Sequence, residues 1–275
     1  MYTTLEQIFK ENPCNEGRAR LEAAIRKPEY CNVTVQEQLP LRLWLADDSS
    51  DLETRIFDIM WAFCAVDGHT HDKHMFVIWL AQRVRHLMTK KASLNALGVV
   101  RRYADGGATP HELHVAYMAA LDAENAKQSI HLSLVEREGH QWSARQRTPN
   151  IWLAQAETNA AAAARTACLD LERGPARSHM SLLSPWNTYS NVLDTVICEA
   201  SYLAAVELHN AGAYAIHGST ERHRIDAVAL AVKKTNEAVE AELHVLFTHT
   251  EAGIPYVPVG VALLDFHPNF TEVAQ

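Results

Sequence analysis

Histidines are the side chains of this sequence most suited to chemistry, and their densest group lies in the first third of the chain. His69, His71 and His74 stand with Asp72 in a predicted loop and the first turn of a predicted helix. His71 and His74 are three residues apart, which places them on one helix face, and His69 or Asp67 would complete a metal site. Imidazole and carboxylate groups are ligands of zinc, manganese and iron. This group predicts a metal-dependent hydrolase as the second of two function hypotheses.

The adjacent residues His71 and Asp72 resemble the metal-binding pair of the helical HD-type phosphohydrolases. That resemblance implies another histidine on a preceding helix and a later aspartate. No histidine precedes His69 in this sequence, so the pattern of that family is incomplete. The alternative interpretation is a polar loop whose histidines cap helix ends.

A basic run is the second feature with chemical potential. Between Lys73 and Ala104 the chain contains seven lysines and arginines and no acidic residue. Because the whole chain carries −8 and this run carries +7, the remaining residues carry −15. Such a separation produces a positive patch on an acidic protein. We expect the patch to bind a macromolecular partner through six of its cations, which are Arg83, Arg85, Lys90, Lys91, Arg101 and Arg102.

The side chains near the cations indicate which class of macromolecule binds to the patch. A protein partner with an acidic face is favoured, and a nucleic-acid backbone is the weaker hypothesis. Phe76 and Trp79 are expected in the core, so no aromatic residue interleaved with the cations is left to stack on bases. The alternative is a solvated helix face whose cations pair with acidic side chains elsewhere in the molecule.

The elements that position these residues are predicted to be helices joined by short loops. Two short helices are expected within residues 3–27. In the non-helical passage that follows, Val33 and Val35 alternate with polar residues and favour a short strand or an extended segment. Ser50 and Glu53 have the spacing of a capping box, which predicts a helix from there to about residue 66.

Residues 71–126 contain the clearest helix signals, and three consecutive helices are predicted there. The first runs from about residue 71 to residue 88. The second is capped by Ser93 and ends at Asp105-Gly106-Gly107. The third begins at Thr109-Pro110-His111-Glu112, which combines an N-cap threonine, a proline at the first helical position and a capping glutamate.

The second half of the chain is also predicted to be helical. Thr148-Pro149 opens an alanine-rich helix that Gly174-Pro175 ends, and two more helices are expected at about residues 189–210 and 220–250. In the last helix the residues expected to face inward are Ile225, Val228, Val232, Val239, Leu243, Leu246 and Phe247. Those expected on its exposed face are Lys233, Lys234, Glu237, Glu240 and Glu242.

The stretch around residues 139–149 is the expected break between an N-terminal helical half, residues 1–138, and a C-terminal half, residues 139–275. One continuous domain is the alternative. The tail from Ile254 onward contains three prolines and is expected to be extended. The sequence thus predicts an all-α fold, an antiparallel bundle or irregular array of helices with an extended C-terminal tail.

Residues 79–126 contain four short motifs that together resemble known helical proteins. They are a helix end at His-Leu-Met, a helix with Ser-x-x-Ala-Leu, the stop Arg-Tyr-Ala-Asp-Gly and a capped helix start at Ala-Thr-x-x-Glu-Leu. This stretch is similar to uncharacterised alanine-rich helical proteins of bacteria and their phages, and the alanine-rich middle is loosely similar to helical immunity-like proteins. The resemblance covers about a quarter of the chain. It implies a helical hairpin and a bacterial or phage setting, and it implies no catalytic residue.

Composition and missing motifs narrow the function class. The 275 residues include five cysteines without a CxxC pair, which is typical of reduced thiols in a cytoplasmic protein. No signal-peptide pattern, membrane-length apolar run, GxSxG motif or nucleotide-binding glycine loop occurs. We therefore expect a cytoplasmic, non-enzymatic interaction protein without a cofactor and without a membrane partner, such as a bacterial or phage inhibitor, immunity protein or anti-defence factor.

Overall fold

The fold is all-α, as the sequence predicts. The computed structural model describes residues 1–10, 15–25, 38–42, 50–66, 68–139, 148–168, 184–210 and 217–258. Within these ranges there are nine α-helices and one two-stranded sheet. The expected helical array is therefore confirmed, and the two predicted helices near the start of the chain are both present.

The helices of the first half of the chain are short. They are α1 (Leu5–Lys10), α2 (Asn15–Ile25), α3 (Leu52–Cys64), α4 (Thr70–Gln82), a 3₁₀ helix (Arg85–Leu87) and α5 (Lys91–Ala104). The later helices are longer. They are α6 (Pro110–Gly139), α7 (Pro149–Ala167), α8 (Ser184–Asn210) and α9 (His217–Glu251).

The small sheet joins the start of the chain to the passage before α3. Strand β1 (Tyr2–Thr3) pairs antiparallel with β2 (Leu39–Pro40). The expected strand or extended segment is present in this passage at β2, whereas Val33 and Val35 lie outside the described residues. Thr3 is fully buried, and its hydroxyl donates to the carbonyl of Ala65 at 3.0 Å.

The start of α6 confirms the predicted capping box. The Glu112 amide donates to Thr109 Oγ1 at 3.1 Å, and the Thr109 amide donates to Glu112 Oε2 at 2.8 Å. The predicted stop before it is also confirmed. Gly106 adopts the left-handed conformation with φ 73°, and its amide donates to the carbonyl of Tyr103. These two signals are local, so they can be identified from sequence alone.

The predicted cap of α3 is wrong by one residue. Asp51, not Ser50, is the N-cap: its carboxylate accepts the Thr54 amide at 3.0 Å and the Thr54 hydroxyl at 2.8 Å. Aspartate and serine are about equally good N-caps, so spacing to Glu53 does not decide between neighbours. The bonds from Thr54 hold the pKa of Asp51 below its usual range.

Two predicted boundaries around the 3₁₀ helix are also wrong. α4 ends at Gln82 rather than residue 88, because the Arg83 and Val84 amides turn to carbonyls three residues back. The apolar periodicity nevertheless continues, since Val84, Leu87 and Met88 are all buried. α5 begins at Lys91 and has Lys90 as its N-cap. Ser93 is not a cap; it is fully buried within the first turn.

Side-chain pairs between successive long helices establish their antiparallel order. Between α6 and α7, Lys127 pairs with Glu157 and Glu124 with Arg165. Between α7 and α8, the bonded pairs are Thr166 with Thr188 and Asn159 with Cys198. Between α8 and α9, they are Tyr189 with Asn236, Ser201 with Arg224 and Glu207 with His223. In each set the residue numbers increase along one helix as they decrease along the other, so neighbouring helices are antiparallel.

The centre of the array is the alanine-rich helix α7. Residues 160–164, all alanine, are buried, which confirms the expected close packing of neighbouring helices on this smooth face. α7 ends at Ala167, and the predicted stop at Gly174-Pro175 lies outside the described residues. One core contains residues from Met1 to Tyr256. The division into two halves at residues 139–149 stays a prediction.

The last helix has about the predicted span, but one residue predicted for its buried face is exposed and one predicted for its exposed face is buried. Val239, Leu243, Leu246 and Phe247 are buried as predicted. Ile225 is 52% exposed, so its predicted core position is wrong, and Val228 and Val232 are half-buried. The N-terminal part of α9 has a more exposed surface than its apolar spacing indicates. Glu242, predicted to be exposed, is 5% exposed.

Candidate partner-binding surface

Five of the six predicted partner-binding cations lie at the surface. Arg85 is in the 3₁₀ helix, Lys90 and Lys91 are at the start of α5, and Arg101 and Arg102 are in its last turn; all five are exposed. We call these five residues the basic surface. Lys91 and Arg102 are eleven residues apart, which is close to three full turns, so they lie on one side of α5 about 16 Å apart.

Arg83 does not belong to the basic surface, which corrects its prediction as a contact residue. It is 8% exposed, and its guanidinium lies over the Trp79 ring, 5.0 Å from the centroid. It follows directly on α4, a helix whose residues 73–81 are all buried. A helix enclosed on every side directs its cations into the core as well. Burial lowers the pKa of Arg83, against the opposing effect of Glu242.

Lys73, the first cation of the basic run, is also buried. It is 7% exposed, and its amine donates to the carbonyl of Val66. Its ammonium lies 6.0 Å from the centroid of the Phe63 ring. The exposed charge of the run is therefore five cations, fewer than the seven in the sequence.

The two arginines at the end of α5 have carboxylate partners within the chain. Arg101 Nε donates to Asp105 at 3.0 Å, and Arg102 Nη1 lies 3.5 Å from Glu112. The hydrogen bond from Arg101, with a further one from His71, holds the pKa of Asp105 below its usual range. Exposed pairs of this kind contribute little to stability, typically below ~1 kcal/mol. They do reduce the positive potential at this end of the surface.

The cations at the other end lack such partners. No carboxylate of the described ranges lies within ion-pair distance of Arg85, Lys90 or Lys91. Between them, His86 Nε2 lies 2.7 Å from Glu199 Oε1 and joins the 3₁₀ helix to α8. We call Arg85, Lys90 and Lys91 the junction cations, since they lie where the 3₁₀ helix leads into α5.

The predicted metal ligands do not form a metal site in the described ranges, and Asp67 lies outside those ranges. His69 and His71 both approach the Asp72 carboxylate, at 3.2 and 3.5 Å, and the other nitrogen of His71 lies 3.2 Å from Asp105. His74 is 1% exposed, and its ring meets the Tyr103 ring edge to face at 5.4 Å. Among the described residues no three histidine, cysteine or acidic side chains are arranged to hold a metal ion.

Asp72 has a structural role instead. Besides the two histidines, its carboxylate accepts the amide of Tyr256 at 3.1 Å, so it fixes the segment after α9 to the start of α4. His69, at φ 55°, is the only non-glycine residue with positive φ in the described part of the chain. The histidine group thus fits the alternative interpretation, a polar loop at a helix start, and the hydrolase hypothesis has no site in the described ranges.

Sequence reasoning missed the buried pair formed by Glu242 and Tyr256. The Tyr256 hydroxyl donates to Glu242 Oε1 at 2.5 Å, and Tyr256 is fully buried. Burial and then this bond raise the pKa of Tyr256 far above its ordinary value. The only sequence signal was a tyrosine in the proline-containing tail, which predicts an extended segment and gives no partner.

Comparison of the chain with protein-family models, curated proteins and solved structures found no match. The similarity of residues 79–126 to alanine-rich bacterial and phage proteins therefore stays a prediction. No helix in the described ranges is both long and apolar enough to cross a membrane.

Proposed function

We propose that this protein is a non-enzymatic helical interaction protein that binds an acidic protein partner through its basic surface. One observation carries the proposal: five exposed cations lie along α5 and the preceding 3₁₀ helix, while the chain as a whole carries −8. A local patch opposite in sign to the rest of the molecule favours one orientation of approach and speeds encounter with an oppositely charged partner.

A protein partner fits this surface better than a nucleic acid does. Nucleic-acid binding without sequence preference combines a basic groove with aromatic side chains that stack on bases. Three aromatic residues lie nearest in sequence to this surface. Phe76 and Trp79 are buried at 0% and 3% exposure and pack against each other. Tyr103 is half-buried, and its ring packs against the ring of the buried His74. The body around the surface is also acidic and would repel a long phosphate backbone.

The setting of the proposed function rests on the resemblance of residues 79–126. It supports a cytoplasmic bacterial or phage accessory protein, such as an inhibitor, an immunity protein or an anti-defence factor. In the role that we propose, a stable scaffold presents a surface to one macromolecule and performs no chemistry. The helix caps at Gly106 and Thr109 are consistent with such a scaffold, because they fix both ends of the loop beside Arg101 and Arg102.

The test is a comparative capture from host lysate with mass spectrometry. The bait is either the unaltered chain or a variant in which all five residues of the basic surface are changed to serine. A control variant carries Lys233→Ser and Arg222→Ser, two exposed cations of α9. The proposal expects a protein enriched by the unaltered chain and the control but not by the five-serine variant, and direct binding of that protein after purification. Equal enrichment by all three baits would contradict it.

A further inference from the structure

We infer that the junction cations, Arg85, Lys90 and Lys91, form the anion-binding point of the basic surface and take the carboxylates of a short acidic protein segment. This inference rests on the proposed function and deepens it. Arg101 and Arg102 then add to the positive electrostatic potential around the bound segment but do not bind its carboxylates directly.

The junction cations differ in their ion pairing from most other cations of the described ranges. Nine of those pair with carboxylates of the same chain, and they are Lys10, Arg18, Arg20, Arg42, Arg55, Lys127, Arg165, Arg224 and Lys233. The exposed Arg222 has no such pair within these ranges, but it is a single cation on α9. The chain has 33 acidic and 25 basic residues, so carboxylates are not scarce. Three neighbouring cations without one therefore concentrate unneutralised positive charge at a single place.

The start of α5 adds positive electrostatic potential to the junction cations. Lys90 is the N-cap, with φ −95° and ψ 129°, and no side chain caps the helix. Lys91 is the first helical residue. The first amides of a helix have no intrahelical acceptor and carry partial positive charge, so two lysines there are unfavourable. A bound carboxylate removes this repulsion and accepts from the same donors.

Two buried polar side chains close in sequence to the junction cations also have polar atoms without a hydrogen-bond partner in the described ranges. Arg83 lies two residues before Arg85, and its Nε and Nη2 have no hydrogen-bond acceptor in the described ranges. Ser93 is the third residue of α5; it is fully buried, and its hydroxyl has no described hydrogen-bond partner either. From residue 83 to residue 93 the sequence contains no acidic residue. Glu242 partly offsets the buried charge of Arg83, whereas the exposed Arg85, Lys90 and Lys91 have no carboxylate of the described ranges within ion-pair distance.

The surroundings limit the length of the occupant. Glu199 flanks the junction at His86, and Asp105 and Glu112 lie at the far end of α5. A ligand much longer than the roughly 16 Å between Lys91 and Arg102 extends over acidic surface. A segment of up to about six residues, roughly 20 Å when fully extended, is close to this length, whereas a long polyanion meets repulsion at both ends.

The test measures binding of a fluorescent hexaglutamate peptide to the full chain by anisotropy, with hexaglutamine as the neutral probe. The junction variant is Arg85→Ser/Lys90→Ser/Lys91→Ser, and the matched variant is Arg101→Ser/Arg102→Ser. Arg222→Ser/Lys233→Ser/Lys234→Ser, at three exposed cations of α9, removes as many positive charges as the junction variant and controls for net charge. We expect the junction variant to bind hexaglutamate about tenfold more weakly, the matched variant less than threefold and the control unchanged. All substituted residues are exposed. Circular dichroism verifies that each variant keeps the helix content of the unaltered chain.

The outcomes separate this inference from the proposed function. If the matched variant loses binding and the junction variant does not, the inference is overturned and the proposed function stands. If neither variant differs from the unaltered chain, both are overturned. No measurable binding of hexaglutamate at low salt overturns the inference alone. Tighter junction-dependent binding of a twelve-nucleotide single-stranded DNA at the same ionic strength overturns the choice of carboxylate.

Discussion

Glu242 is a buried carboxylate whose hydrogen bond from Tyr256 holds the segment after α9 in place. A buried ionisable group is tolerated only where its hydrogen bonds are satisfied. The same segment is fixed a second time by its backbone, through the bond from the Tyr256 amide to Asp72. One tyrosine thus joins α9 to α4 through two carboxylates.

The first prediction concerns this bond. Tyr256→Phe keeps the buried ring but removes the hydroxyl that donates to Glu242. We expect it to lower the free energy of unfolding by about 1.5–3 kcal/mol, the usual range for a hydrogen bond to a charged group. Urea denaturation followed by circular dichroism measures it. Tyr2→Phe, at a 44% exposed tyrosine, is the control and is expected to have little effect. An unchanged unfolding midpoint for Tyr256→Phe would refute the assignment.

The second prediction separates the buried Arg83 from the exposed Arg85. Arg83→Met preserves the packing on Trp79 and removes a desolvated charge, so stability is expected to be unchanged within about 1 kcal/mol or raised. Its effect on hexaglutamate binding is expected to be less than about twofold, against about threefold for Arg85→Met. Urea denaturation and anisotropy measure the two quantities. Equal losses of binding would place Arg83 back among the contact residues.

At the scale of elements, the caps around residues 105–112 define the end of α5 and the start of α6. The third prediction uses them. Thr109→Ala removes the hydroxyl that accepts the Glu112 amide, and it is expected to lower the free energy of unfolding by about 1 kcal/mol. Thr89 is exposed and its hydroxyl makes no hydrogen bond within the described ranges, so Thr89→Ala is the control. Denaturant titration compares them, and equal losses would show that the cap bond is not the cause.

The fourth prediction is a loss of stability in acid. Hydrogen bonds lower the pKa of three helix-end carboxylates, Asp51, Asp105 and Glu112. A carboxyl with a lowered folded-state pKa contributes stability above its unfolded pKa and loses it as the pH falls through the folded value. The urea midpoint is therefore expected to fall as the pH drops below about 4. In the Asp51→Asn variant the urea midpoint is expected to fall less between neutral pH and acid than it does in the unaltered chain. An identical pH profile for the variant would exclude Asp51 as a contributor.

Element boundaries that depend on local chemistry could be predicted, and those that depend on packing could not. Gly106 and Thr109 act through neighbouring backbone atoms, so their spacing in the sequence is sufficient. The end of α4 is different. Val84 and Leu87 continue the apolar spacing of the helix, but they are buried by a 3₁₀ turn that only the surrounding helices determine.

At the scale of the whole molecule, the sequence predicted a basic face but not which of its cations reach solvent. Charge separation is a property of composition, and it is evident in the acid-free run from residue 73 to residue 104. Burial of Lys73 and Arg83 arises because α4 is covered on every side, which no local pattern indicates. The pairing of Arg101 and Arg102 likewise depends on the turn that brings Asp105 and Glu112 near them.

The most direct measurement of partner binding at the basic surface is position-specific photo-crosslinking in host lysate. A photoreactive amino acid is placed at residue 91, at residue 102 or, as the control, at residue 222 on α9. The proposed function predicts that positions 91 and 102 give the same crosslinked protein, that position 222 does not, and that raised salt reduces both crosslinks. Crosslinks from position 222 alone, or equal crosslinks from all three positions, would contradict the basic surface as the partner-binding site.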